Sequence, residues 1–158
     1  MPPGRSEAMP LPDSLARLRY DRLGPRRFKT VTQVAVDLPY FIPSAKSSAE
    51  CAEHPRVEIV RTESTGAARL IARPGFVWNG ASGPTWDSES IRRSALVHDA
   101  LYGLIRSGDL AMAWRKAADL CFRELLKRGG VNGVRRRYYF WAVRWFGKRA
   151  CRPPKGSR

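Results

Sequence analysis

The period of the apolar residues changes once along the chain, near Pro74-Gly75. Before that break, alternation is the rule. Phe28, Thr30, Thr32, Val34 and Val36 share one side of an extended segment, and Lys29, Val31, Gln33 and Ala35 the other. A period of two is that of a β-strand. After the break, Ile91, Ala95, His98, Tyr102 and Ile105 recur at three-to-four spacing, the period of a helix with one buried stripe. Strands first and helices second define an α+β domain, with a small antiparallel sheet in the N-terminal half followed by about three helices. A length of 158 residues suits one such domain, and a hydrophobic fraction of 43% is enough to build its core.

Local signals set the expected boundaries. Residues 1–27, rich in Pro, Arg and Ser, read as a flexible basic arm with a short helical turn near 14–20. One strand is expected over 28–36, ended by Pro39 and Pro43. Residues 44–55 read as a loop. Two strands over 56–61 and 67–73 form a hairpin around Glu63-Ser64-Thr65-Gly66. Ser88 or Asp87 caps the first long helix, which stops at Ser107-Gly108-Asp109. A second helix is expected over 110–127, with Ala113, Ala117, Leu120, Cys121 and Leu125 as its stripe, ended by Gly129-Gly130. A third is expected over 132–149, with Val134, Tyr138, Trp141 and Trp145 as one face, read as core. The domain then spans 28–149, and 150–158 is a disordered basic tail.

The chemistry concentrates in residues 96–102. They hold His98, one of two histidines, followed at once by Asp99 and four residues later by Tyr102. His98 and Tyr102 lie on the apolar stripe and Asp99 at its edge. Polar groups on the inward side of a helix need partners, since an unpaired one costs about 1–3 kcal/mol. A His-Asp pair can act as general base plus metal ligand, or the base can be held by a carboxylate on another element. Asp119 is the candidate for that carboxylate, placed just after Ala117-Ala118, where two helices can approach closely. The loop Asn79-Gly80-Ala81-Ser82 precedes the His98 helix and can present backbone groups to an oxyanion or a hard cation. A plainer reading stays open, in which His98, Asp99 and Tyr102 are a structural network and Asp119 pairs with Arg115 or Arg123. Ser82 lacks the setting of a nucleophile elbow, and His54 has no assigned role.

The net charge is +15, and it gathers toward the C-terminus. From Arg123 onward there are twelve Lys and Arg against one acid, Glu124. Arg135, Arg136, Arg137, Arg144 and Lys148 are the expected basic surface. Such a surface suits an anionic membrane, nucleic acid or an acidic partner. No apolar run reaches the roughly 18–20 residues of a membrane span, and no secretory signal is read at the N-terminus. Cys51, Cys121 and Cys151, an odd number without metal-ligand spacing, are expected to be reduced thiols.

Four segments in this order, "GFVWNGASGP", "SALVHDALYG", "KAADLCFRELLKRGGV" and "YYFWAVRWFGK", resemble the bacterial and bacteriophage domain-of-unknown-function family 1353. Its pattern runs from a Gly-Phe…Asp-Gly-Ala-Ser-x-Pro loop through His-Asp-x-x-Tyr and Ala-Asp-x-x-Phe helices to a closing Tyr-x-x-Val-Arg-x-x-Gly helix. This chain has Asn79 in place of the loop Asp. The resemblance covers about residues 75–147 and implies a phage or prophage setting, hence the bacterial host cytoplasm or the virion, with phage structural proteins as partners.

The helix around His98 is also similar to that of secreted phospholipase A-two, and "KAADLCFRELL" to that family's second helix. The similarity implies His98 as base, Asp99 as Ca²⁺ ligand and Tyr102 as a positioning group bonded to a further aspartate. That family's buried aspartate stands seven residues before the Phe, where this chain has Arg115; Asp119 comes three before Phe122 and is expected to face differently. The disulfide framework is absent. Two functions follow: a hydrolase acting on a phospholipid ester with Ca²⁺, or a non-enzymatic virion, tail or binding protein whose His98 cluster is structural.

Overall fold

A computed structural model describes residues 11–47, 57–80 and 88–152. In chain order the elements are α1 (Asp13–Ala16), β1 (Tyr20–Gly24), β2 (Arg27–Thr30), β3 (Val34–Asp37), β4 (Ala45–Lys46), β5 (Val57–Arg61), β6 (Ala68–Ala72), β7 (Val77–Asn79), α2 (Glu89–Ser107), α3 (Arg115–Arg128) and α4 (Gly133–Ala150). A short 3-10 turn, Met112–Trp114, leads into α3. The class is α+β: two small antiparallel sheets, ordered β1-β2-β7 and β3-β6-β5-β4, precede three long helices.

The alternating stretch expected as one strand over 28–36 is two strands in different sheets, β2 and β3. Thr30 explains the division. Its side chain is buried, donates to the Arg73 carbonyl at 3.2 Å and accepts the Phe76 N–H at 3.0 Å. Its own carbonyl accepts the Gly75 N–H at 2.8 Å. The turn after β6 is thereby fastened to the end of β2. Gly75 makes that turn at φ 92°, a region that favours glycine. The chain then enters β7, which pairs with β2 and sets Phe28 opposite Trp78, while β6 pairs with β3. The hairpin β5–β6 forms as expected, with Gly66 at φ 66° in its turn.

The flexible arm expected over 1–27 is corrected for its described part. Leu15 and Leu18 are buried, Ser14 Oγ donates to the Ala35 carbonyl, and β1 pairs with β2. Two leucines three residues apart suffice to dock one helical turn on β3, although they make a weak pattern in the sequence. Residues 1–10 lie outside the described part, as do 48–56 and therefore His54 and Cys51.

Ser88 caps α2 through its hydroxyl, and Gly108 ends it in the left-handed conformation. The second helix starts later than expected and is turned differently. Ala118, Cys121, Phe122, Leu125 and Leu126 are buried, whereas Ala113 is exposed. Asn132 caps α4. Here the expected face is reversed. Val134, Tyr138, Trp141 and Trp145 point to solvent, and the helix docks through Tyr139 and Gly147 with Val143 partly buried. The disordered tail expected over 150–158 is corrected for its described part, since α4 runs through Ala150 and Cys151 is buried; residues 153–158 lie outside the described residues. Cys121 and Cys151 are free, and burial pushes their thiols up to about 12 and about 11. Among the described residues no helix is long and apolar enough to cross a membrane.

Thr30→Val keeps the shape but removes the donor to Arg73 and the acceptor for Phe76. We expect a loss of about 1–3 kcal/mol in urea unfolding, and unchanged stability would contradict the fastening role.

Candidate functional site

Three helices meet on one carboxylate. Asp119, on α3, is fully buried. Its Oδ1 accepts the Tyr102 hydroxyl at 2.5 Å and lies 3.0 Å from His98 Nε2, both from α2. Its Oδ2 accepts Arg144 Nη1 from α4 at 2.8 Å, with Arg115 Nε one turn back on α3 at 3.8 Å. Burial acts to raise the Asp119 carboxyl. The bonds from His98, Tyr102 and Arg144 outweigh it and hold the group below the ordinary carboxylate range. Burial first, and then the Asp119 carboxylate, raise the Tyr102 hydroxyl far above its ordinary value, so it stays a donor.

The ionised Asp119 fixes the tautomer of its neighbour. It has no proton to give, so His98 Nε2 must carry the hydrogen, and in the neutral ring Nδ1 holds a lone pair. No described residue bonds Nδ1. The ring packs at a tilt against Tyr102, 4.0 Å away between centroids, and Phe122, 4.9 Å away. It borders a pocket of about 370 Å³ between α2, α3 and α4. Asp99, Tyr102, Phe122, Tyr139, Val143 and Phe146 contribute to walls that are mostly apolar.

Two further groups close this arrangement. Arg115 Nη2 donates to the Arg144 carbonyl and, at 3.5 Å, to that of Val143, so α3 grips the backbone of α4. Gly147 lets α4 come close: a Cβ there would collide with the Tyr102 hydroxyl and stand 2.9 Å from its Cε2. Neither role was read from the sequence. Signals existed in the four-residue step from Arg115 to Asp119 and in a glycine inside a helical pattern.

Asp119 therefore faces His98 and Tyr102, contrary to the orientation expected from its place before Phe122. Arg144, grouped with the basic surface, turns inward to it, while Arg137 and Lys148 are exposed and Arg135 and Arg136 partly so. Asp99 stands on the other side of His98, where it accepts the Asn79 N–H at 2.8 Å. Trp78 Nε1 donates to the Arg92 carbonyl at 3.0 Å, two turns earlier on α2. These two bonds lay the end of β7 along α2. The Asn79 side chain is exposed, so position 79 acts here through its main chain. The Gly80 N–H donates to the Arg26 carbonyl at 2.9 Å. Of the loop's four N–H groups, those of Asn79 and Gly80 are thus engaged within the fold. Ala81 and Ser82 lie outside the described residues.

Ca²⁺ was expected on Asp99, beside a loop whose residues 81–87 lie outside the described part. It takes six to eight oxygens, whereas Asp99 Oδ2 already accepts an N–H and the positive charge of Arg106 bears on the same carboxyl. No described group of three His, Cys, Asp or Glu side chains is arranged to hold a metal.

With the site in view, comparison with known proteins gives one match. The profile of the family described as protein of unknown function (DUF1353) matches residues 58–143. The chain belongs to this family. The DUF1353 match begins at the β5–β6 hairpin, earlier than the quoted motifs. It takes in His98, Asp99, Tyr102, Arg115 and Asp119, and ends one residue before Arg144. No curated protein and no solved structure matches the chain. The likeness of the His98 helix to secreted phospholipase A-two therefore rests on those residues alone.

Burial raises the Asp99 carboxyl from 3.8 to about 6, against the pull of His98, the Asn79 N–H and Arg106. A raised value favours folding only where the group is protonated, and that contribution is lost as pH climbs from about 4 through about 6. Asp99→Asn keeps an acceptor for Asn79 without the charge. We expect it to exceed wild type by about 2–3 kcal/mol at pH 8 and to match it at pH 4 in thermal melts. Equal stability at pH 8 would contradict a half-buried, ionised Asp99.

Proposed function

We propose that this member of DUF1353 is a hydrolase of an ester with an apolar chain, a phospholipid ester being the class in view. The observation that carries this reading is the His98 ring, fixed through Nε2 by a buried carboxylate and bordering an apolar pocket, with no described residue bonded to Nδ1. In the proposed step Nδ1 takes a proton from water as the water oxygen attacks the ester carbonyl. The C–O bond to the alcohol then breaks, and the leaving alkoxide recovers that proton from the imidazolium. Acid and alcohol are the products, and no external electron is needed. Asp119 acts as a positioning residue, and the pocket walls from α4 receive the apolar chain and exclude water. No step is routed through Ca²⁺. The proposed setting is the phage-infected or lysogenic bacterial host, or the virion.

A second reading has its own observation. Both oxygens of Asp119 are bonded by groups from α2 and α4, as a purely structural tie requires. In that reading the protein binds phage structural proteins or nucleic acid through its basic helix.

Hydrolysis of a short-chain phospholipid ester, soluble as a monomer, separates the two. Wild type, His98→Asn and Asp119→Asn are compared with Ca²⁺ and with chelator, and folding is checked by circular dichroism. The hydrolase reading expects cleavage that falls about 10²–10⁴-fold in folded His98→Asn, through kcat rather than KM. Absence of cleavage by wild type in every condition would overturn it in favour of the structural reading.

A further inference from the structure

The helix that walls the pocket has a second apolar face. Val134, Tyr138, Trp141 and Trp145 follow one another at spacings of four, three and four, which aligns them along one side of α4. They are 82%, 47%, 49% and 72% exposed. Single exposed apolar residues are ordinary, but a continuous ridge of large ones marks a surface that meets something. The ridge rings pack on one another and their helix neighbours, with Trp141 and Trp145 5.7 Å apart.

Charge selects the occupant. α4 carries six Lys and Arg and no acid. The four-three-four spacing is that of a coiled-coil seam, yet two copies paired there would bring these like charges together. At the N-terminal end of the ridge opens a cleft of about 520 Å³, lined by Val134 and by Arg123, Lys127, Arg136 and Arg137. Its one carboxylate, Glu124, is 3.5 Å from Arg128. Among the described residues no carboxylate pairs with Lys127, Arg136 or Arg137. The cleft is therefore suited to phosphate. At the other end Phe146, next to Trp145, is 75% exposed and also borders the His98 pocket. Aromatic rings beside Lys and Arg are the composition of a helix lying at a membrane–water interface.

We propose that the outer face of α4 docks on an anionic lipid bilayer, with its aromatic ridge at the acyl boundary and lipid phosphates in the Arg123–Arg137 cleft. The pocket wall at Phe146 then lies beside the bilayer. The inference names the partner of the hydrolase read above and rests on that reading only for its purpose. Binding can be measured without catalysis.

The test uses the full chain as His98→Asn, which leaves vesicles intact. It is sedimented with vesicles of phosphatidylglycerol and phosphatidylcholine, or of phosphatidylcholine alone, while tryptophan emission is recorded. We expect binding to the anionic vesicles with a blue shift, and little binding to the neutral ones. Trp141→Ala with Trp145→Ala, and separately Arg136→Glu with Arg137→Glu, are each expected to weaken binding by at least about tenfold. Absence of binding to anionic vesicles would overturn the proposal. So would a ridge variant that binds like wild type, which would indicate charge adsorption alone. Self-association lost in the ridge variant, or nucleic acid that displaces the protein from vesicles and needs the ridge, would assign the face to another occupant and overturn it too. Vesicle binding without ester cleavage would remove the hydrolase reading alone; cleavage of the soluble ester without vesicle binding would remove this inference alone.

Discussion

The buried carboxylate of Asp119 is the constraint on which the helical half depends. Removing an ion from water costs several kcal/mol unless its oxygens are bonded in good geometry. Here four groups meet that need, from α2, α3 and α4. Each partner restricts its own helix. His98 and Tyr102, four residues apart, set the rotation of α2, and Arg144 sets that of α4. The bonds from His98, Tyr102 and Arg144 keep the carboxylate ionised despite its burial. The apolar core holds the helices together, and this charged contact decides how they face.

The pocket follows from the same geometry. An ionised Asp119 requires the hydrogen on His98 Nε2, which leaves the other nitrogen without a described partner beside an apolar space. Arg115 on the carbonyls of α4, and the missing side chain at Gly147, bring that helix close enough to form a wall. Because the inward side of α4 is given to Tyr139, Val143 and Gly147, its aromatic stripe has nowhere to go but out. Pocket wall and outer ridge are two consequences of one placement.

Much of this was legible in the sequence because period is a strong signal. Alternation and then three-to-four spacing give the α+β class, the β5–β6 hairpin and the caps at Ser88 and Gly108. His98 and Tyr102 were legible as polar groups on an apolar stripe, and Asp119 as a carboxylate just after the small pair Ala117-Ala118. The errors share a cause. Period locates a stripe but cannot say which of two stripes docks, and α4 has two. The alternating run over 28–36 carried no mark of the Thr30 hydroxyl, whose partners lie more than forty residues away. Arg115 and Gly147 act through backbone carbonyls and through absent volume, neither of which leaves a pattern in hydrophobicity.

The most direct measurement is the tautomer of His98, by long-range ¹H–¹⁵N correlation of the imidazole at a pH where the ring is neutral. Residues 48–56 contain His54, so a His54→Gln background isolates one ring. Hydrogen is expected on Nε2 and a lone pair on Nδ1, with that preference relaxed in Asp119→Asn. A neutral His98 bearing its hydrogen on Nδ1 would mean that Asp119 does not hold the ring, and would contradict the account at its centre.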